Sequence, residues 1–132
     1  DILFKDNNLY ELNILRSNGF YFSQVKVRIE ENTNNTINLI YDFNLGEKAK
    51  INKIQFTGNK IFKNNKLRNL IISEESRPWK FITKNIYIDE QRIDIDKRLL
   101  TNFFKNKGYY NVEVKSSFAK VVENNNFDLV FN

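Results

Sequence analysis

The feature that most constrains this chain is an internal repeat. Residues 15–27, LRSNGFYFSQVKV, and residues 104–116, FKNKGYYNVEVKS, superpose at a constant offset of 89 residues. Gly19 falls on Gly108, Phe20 on Tyr109, Tyr21 on Tyr110 and Val25 on Val114. Extended backwards, Phe4, Tyr10, Ile14 and Leu15 fall on Ile93, Leu99, Phe103 and Phe104. Extended forwards with one residue gained in a loop, Ile37, Leu39 and Tyr41 meet Phe127, Leu129 and Phe131. The first 45 residues therefore correspond to the last half of the unit that follows, so 132 residues hold one complete unit and part of another.

The unit reads physically. Over residues 89–107, Ile93, Leu99, Leu100, Phe103 and Phe104 lie at helical spacing, with charges between them. Asp89 suits an N-cap, and Gly108 stands where a left-handed residue closes a helix; Gly19 repeats that ending. After each glycine, apolar and polar residues alternate (Val112 and Val114; Val25 and Val27), which predicts a strand. An Asn-rich turn and a second alternating run complete a hairpin in both copies. Ahead of the long helix, Ile51, Ile54 and Phe56 predict a short strand, Gly58-Asn59 a turn, and Leu67, Leu70 and Ile71 a helix over 63–72.

The order from residue 46 is β-α-α-β-β. The expected fold class is α+β, with units that each form a three-stranded mixed sheet covered on one face by two helices. Residues 1–45 are then the C-terminal half (helix plus hairpin) of a first unit, and 46–132 a complete second one. The first strand should add to the last, which leaves the Val112 strand at an edge.

Composition narrows the function. There is no Cys, hence no disulfide, thiolate metal site or thiol nucleophile, and no His, the usual base near neutral pH and the commonest metal ligand. The net charge of +5 comes from 21 basic and 16 acidic side chains, interspersed, as on a solvated surface. No run approaches the ~20 apolar residues of a membrane helix. The N-terminus carries no signal-peptide pattern and opens within a helical pattern, as expected of a piece of a longer protein.

GEKAKINKIQFTGNKIF at 46–62, RPWKF at 77–81 and LLTNFFKNKGYYNVEV at 99–114 together resemble polypeptide-transport-associated (POTRA) domains. They look most like those of BamA-type outer-membrane protein assembly factors. Gly46, Gly58, Asn59, Phe62, Gly108, Tyr109 and Tyr110 fill the landmark places. The resemblance implies a non-enzymatic binding module without cofactor or metal. It would be the soluble periplasmic arm of a protein embedded in the outer membrane of a Gram-negative bacterium. The implied partners are unfolded outer-membrane protein substrates and accessory lipoproteins, with no nucleic acid. Two alternatives stand beside this: the same arm in a related translocation or secretion protein, and a nucleic-acid-binding α+β domain.

The first candidate site is the edge strand, Val112, Glu113, Val114, Lys115, Ser116, Ser117 and Phe118, whose unpaired backbone could receive a partner's strand. Lys115 and Lys120 could instead be charges that block an edge. The second is the loop Arg77, Trp79 and Phe81, residue types enriched at interfaces, although Trp79 and Phe81 more simply cap the core. Gly108, Tyr109 and Tyr110 read as capping and packing. Asp89, Glu90, Asp94 and Asp96 read as charges favoured by a helix N-terminus, since Asp94 and Asp96 point about 200° apart at ~100° per residue.

Overall fold

The computed structural model describes residues 12–80, 82–121 and 125–132. Both copies of the repeat end their helix in the same way. In α1 (residues 12–17), Gly19 N–H donates to Arg16 O at 2.8 Å and Phe20 N–H to Leu15 O at 2.9 Å. In α3 (Glu90–Asn106), Gly108 N–H donates to Lys105 O at 2.9 Å and Tyr109 N–H to Phe104 O at 3.0 Å. These nested bonds form a Schellman motif, which needs a left-handed residue at its turn. Gly19 and Gly108 provide it at φ +90° and +91°. Phe4 and Tyr10, the start of the first helical pattern, lie outside the described residues.

The hairpin of the first copy joins β1 (Gln24–Glu31) to β2 (Ile37–Asn44), antiparallel, with Val25 opposite Phe43 and Val27 opposite Tyr41. The second sheet holds β3 (Lys50–Phe56), β4 (Ser116–Val121) and β5 (Asn126–Phe131) in the order β3-β5-β4. β3 runs parallel to β5 and β4 antiparallel to it, so the sheet is mixed and β4 is an edge, as the pattern predicted. The β3–β5 register shifts between Ile51 and Lys53. That irregularity lets Ile51 and Ile54 both reach the core, which is why the first strand does not alternate cleanly in sequence.

α2 (Asn64–Arg68) and α3 cover one face of this sheet. Leu67, Ile93 and Leu100 meet Ile51, Ile54, Leu129 and Phe131, all buried. Burying each such side chain stabilises the fold by roughly 1.5–3 kcal/mol. Beside them, Phe62 packs edge-on against Phe103 and Phe104, at 4.8 and 5.4 Å between ring centres. Asn59 holds Phe62 in place: its carbonyl oxygen accepts from the Ile61 and Phe62 amides, and its side-chain amide donates to Phe62 O.

Two expectations need correction. The helix expected over 63–72 stops at Arg68, with Leu70 N–H turning back to Leu67 O at 3.1 Å. The next amides, Ile72 and Ser73, are taken by the Asp96 carboxylate and so leave the helical path. The strand expected from Val112 begins at Ser116. Lys115 exchanges bonds of 2.8 and 2.9 Å with Asn132, the pair just ahead of Ser116 and Phe131. Val112 and Val114 alternate in burial without a ladder.

Candidate functional site

A small open sheet has two edges, and here one is sealed. Along the outer side of β3, Ala49 O accepts from Ile88 N–H at 3.0 Å and Ile51 O from Ser76 N–H at 2.7 Å. Ile54 is closed by side chains: its N–H donates to Glu75 Oε1 at 3.0 Å, and its carbonyl accepts from Arg68 Nη2 at 2.9 Å. Glu75 is 8% exposed and ion-paired to Arg68 at 3.1 Å and Arg77 at 2.5 Å. Burial pushes its carboxyl up, but the Ile54 amide and the two guanidiniums outweigh burial and hold it below the ordinary carboxylate range.

The sign of that shift gives a pH prediction. A depressed folded pKa contributes stability above the unfolded carboxylate range, and this is lost as pH falls through the folded value. Thermal melts should therefore lose stability below about pH 4. Glu75→Gln should cost about 2–3 kcal/mol near neutrality and flatten the acid limb. An unchanged acid limb in the variant would show that Glu75 does not carry it.

β4 is the other edge. Lys115 and Asn132 form a hydrogen-bonded pair, and such pairs alternate along an antiparallel ladder. Ser117, Ala119 and Val121 thus bond to β5, opposite Val130, Asp128 and Asn126. Ser116, Phe118 and Lys120 turn their N–H and C=O groups outward. Along Ser116–Ala119 the side chains are small or apolar. Phe118 faces the core side, 6.4 Å from the Phe127 ring. Lys115 pairs with Glu113 at 3.3 Å, both largely exposed. A cleft between α3 and the lead-in to β4 is lined by Lys97, Arg98, Thr101, Val112 and Val114.

Of the expected edge residues, Ser116, Ser117 and Phe118 lie in β4, and Val112, Glu113, Val114 and Lys115 lead into it. Val112 and Val114 line a groove of ≈ 260 Å³ with Leu100, Phe104 and Phe131.

The loop behaves otherwise than the simpler expectation. Trp79 is 72% exposed and does not cap the core. Arg77 is held by Glu75, Lys80 by Glu74, and Lys80 N–H closes a turn on Arg77 O at 2.9 Å, so Trp79 stands on the outside of a pinned turn. Phe81 lies outside the described residues.

Asp89 caps α3, accepting from Arg92 N–H at 3.0 Å, and Asp94 pairs with Lys97 on the surface. Asp96, also read as a helix-terminus charge, is fully buried and binds the backbone of 72–73. The missed signal was its position on the Ile93–Leu100 face. Sequence reasoning also missed Glu75 and Arg68. Among the described residues no acidic cluster could hold a metal ion, and no helix is long and apolar enough to cross a membrane.

A mixed three-stranded sheet under two helices is the POTRA arrangement. The POTRA family model, described as a surface antigen variable number repeat, matches residues 49–132, and the chain belongs to that family. The chain is 25% identical over 91 residues to the outer membrane protein assembly factor BamA of Neisseria meningitidis serogroup B, covering 69% of this chain and 11% of that protein. It therefore spans about a tenth of the length of this curated relative. Among solved structures it is similar to the POTRA3–5 fragment of Haemophilus influenzae BamA, with a TM-score of 0.55 at 16% identity over 97% of this chain and 46% of that one. A Haemophilus ducreyi BamA lacking POTRA domains 1–3 matches with a TM-score of 0.54 at 16% identity, over 99% of this chain and 22% of the other.

Proposed function

We propose that this chain is part of the periplasmic arm of an outer-membrane protein assembly factor, and that it binds unfolded barrel precursors by adding their strands to β4. Residues 46–132 would form one complete unit and 1–45 the end of the preceding one. The observation that carries this reading is the asymmetry of the sheet: the β3 edge from Ala49 to Ile54 is closed by backbone and by the Glu75 and Arg68 side chains, while β4 presents Ser116, Phe118 and Lys120. Main-chain bonding of this kind needs little side-chain specificity, which suits a receptor for many different strands. The module binds and does not catalyse. Trp79 and its turn offer a separate surface for a folded accessory protein.

The chemistry of the sheet favours protein over nucleic acid. A sheet that binds single strands displays aromatics on its open face. Here Leu129 and Phe131 are buried under the helices, and the opposite face presents Asp128, bonded to Asn52 at 2.8 Å and to Gln55 at 3.4 Å.

The test is a proline whose missing N–H lies on the open side. Proline is tolerated on an edge strand when its nitrogen faces solvent. Ser116→Pro should keep the fold and weaken binding of a peptide from a terminal barrel strand by about tenfold, the value of one or so hydrogen bonds. Unchanged affinity would remove β4 as the site, and a loss seen with Trp79→Ala instead would move the site to the loop.

A further inference from the structure

The open edge carries one ring. β4 reads SSFAKV, and Phe118 is its only aromatic residue. The Phe118 N–H and C=O point outward, and its side chain stands on the face that the helices cover, opposite Leu129. Along that face Val112, Val114, Ser116 and Phe118 are half-buried, whereas Glu113, Lys115, Ser117 and Ala119 are exposed on the other. A strand added at about 4.8 Å from β4 sets one side chain directly beside Phe118, with Cβ atoms about 4.5–5.5 Å apart.

The Phe118 ring is flanked by two others. Phe127 meets it edge-on at 6.4 Å between centres, and Tyr21, from the turn between α1 and β1, stands at 6.3 Å. Tyr21 in turn rests on Phe127 at 5.0 Å. Its place is fixed from three directions. Gly19 O accepts from Ala49 N–H at 2.8 Å, Phe22 stacks on Phe127 at 6.1 Å, and the Tyr21 hydroxyl lies 3.5 Å from Glu90 Oε1. Phe118 is nonetheless only half-buried, since among the described residues no strand lies beyond β4. One part of its ring is held against Tyr21 and Phe127, and another part remains for a side chain arriving at the edge.

We propose that Phe118 selects the strand that β4 receives, and that Tyr21 positions the Phe118 ring for that contact. The inference rests on the strand-addition reading and adds a substrate class: alternating strands that bring an aromatic side chain beside Phe118 and polar ones beside Ser117 and Ala119. Main-chain bonding is shared by every strand, so it sets a common affinity, and pockets for alternate side chains set the preference. An aromatic pair adds roughly a two- to tenfold difference in binding. Tyr21 does not touch the added strand. Without its ring, Phe118 turns into the vacated space, and the preference falls while the ladder is untouched.

The experiment is an NMR titration of the whole chain with two short peptides, flanked by charged residues and alternating threonine with either phenylalanine or leucine. Alternation throughout puts the test side chain beside Phe118 in every register that turns that face to the helices. The phenylalanine peptide should bind two- to tenfold more tightly than the leucine peptide, and its rings should give nuclear Overhauser contacts to the Phe118 ring. Phe118→Leu keeps an apolar side chain in the sheet and should bring the two affinities together, leaving that of the leucine peptide unchanged. Tyr21→Ala should reduce the preference and Tyr21→Phe should restore it. Equal affinities for the wild-type chain, or no contact from the peptide to the Phe118 ring, would overturn the proposal. So would a preference that survives Phe118→Leu, and one that survives Tyr21→Ala would overturn the positioning role. If neither peptide slows exchange at the Ser116, Phe118 and Lys120 amides while bound, the strand-addition reading itself fails and takes this inference with it.

Discussion

Asp96→Ala should remove a large part of the module's stability, about 3–5 kcal/mol, the usual cost of leaving buried polar partners uncompensated. Asp96 is 0% exposed on the Ile93–Leu100 face of α3. Its Oδ1 accepts from Ile72 N–H at 2.6 Å and its Oδ2 from Ser73 N–H at 3.2 Å. These two amides follow the end of α2, and Ser73 is itself 2% exposed, so water does not readily replace the carboxylate at its amide. Alanine also leaves a void among close-packed side chains. Asp96→Asn keeps one acceptor oxygen and should lose roughly half as much. Against a typical stability of about 5–15 kcal/mol, both losses would be plain in urea unfolding midpoints. An alanine variant within about 1 kcal/mol of wild type, the size of an ordinary surface change, would show that Asp96 is not the clamp between α2 and α3.

Gly19→Ala should open the contact between the first hairpin and the second sheet. The φ of +90° is costly for any residue with a Cβ, and this Cβ would press on Ile88 O at 2.5 Å. Ile88 cannot withdraw freely, because its own N–H donates to Ala49 O. The variant must therefore give up the Gly19–Ala49 bond, and Tyr21 leaves the rings of Phe118 and Phe127. Tyr21 reports this directly. Burial, and then the Glu90 carboxylate 3.5 Å from its hydroxyl, push its pKa up to about 12. In Gly19→Ala the phenol should titrate close to the ordinary value of about 10, read by ultraviolet or NMR titration. A Tyr21 that still titrates near 12 would mean that the junction tolerates the extra methyl group.

The glycine-terminated helices, both hairpins and the position of β4 at an edge are legible in the sequence, because each depends on short-range periodicity or on one residue's φ. The start of β4 is not. Val112 and Val114 alternate as a strand would, but alternation reports which side of a chain is buried and says nothing about where a partner backbone begins. Asp96, Glu75 and Arg68 were misread or missed for a different reason. Each is a charged side chain whose partner is a backbone group 14 to 24 residues away, and no local pattern encodes that pairing. Of the two readings of Trp79, an interface loop or a cap on the core, the cap fails because the ion pairs of Arg77 and Lys80 hold its turn outside.

Backbone amide exchange along Ser116–Val121, with and without a peptide from a terminal barrel strand, tests the proposed binding mode most directly. Without peptide the rates should alternate: slow at Ser117, Ala119 and Val121, which bond to β5, and fast at Ser116, Phe118 and Lys120. With saturating peptide the alternation should vanish, because the outward amides acquire partners. If Ser116, Phe118 and Lys120 remain fast while peptide is bound, the peptide sits elsewhere and strand addition at β4 is wrong.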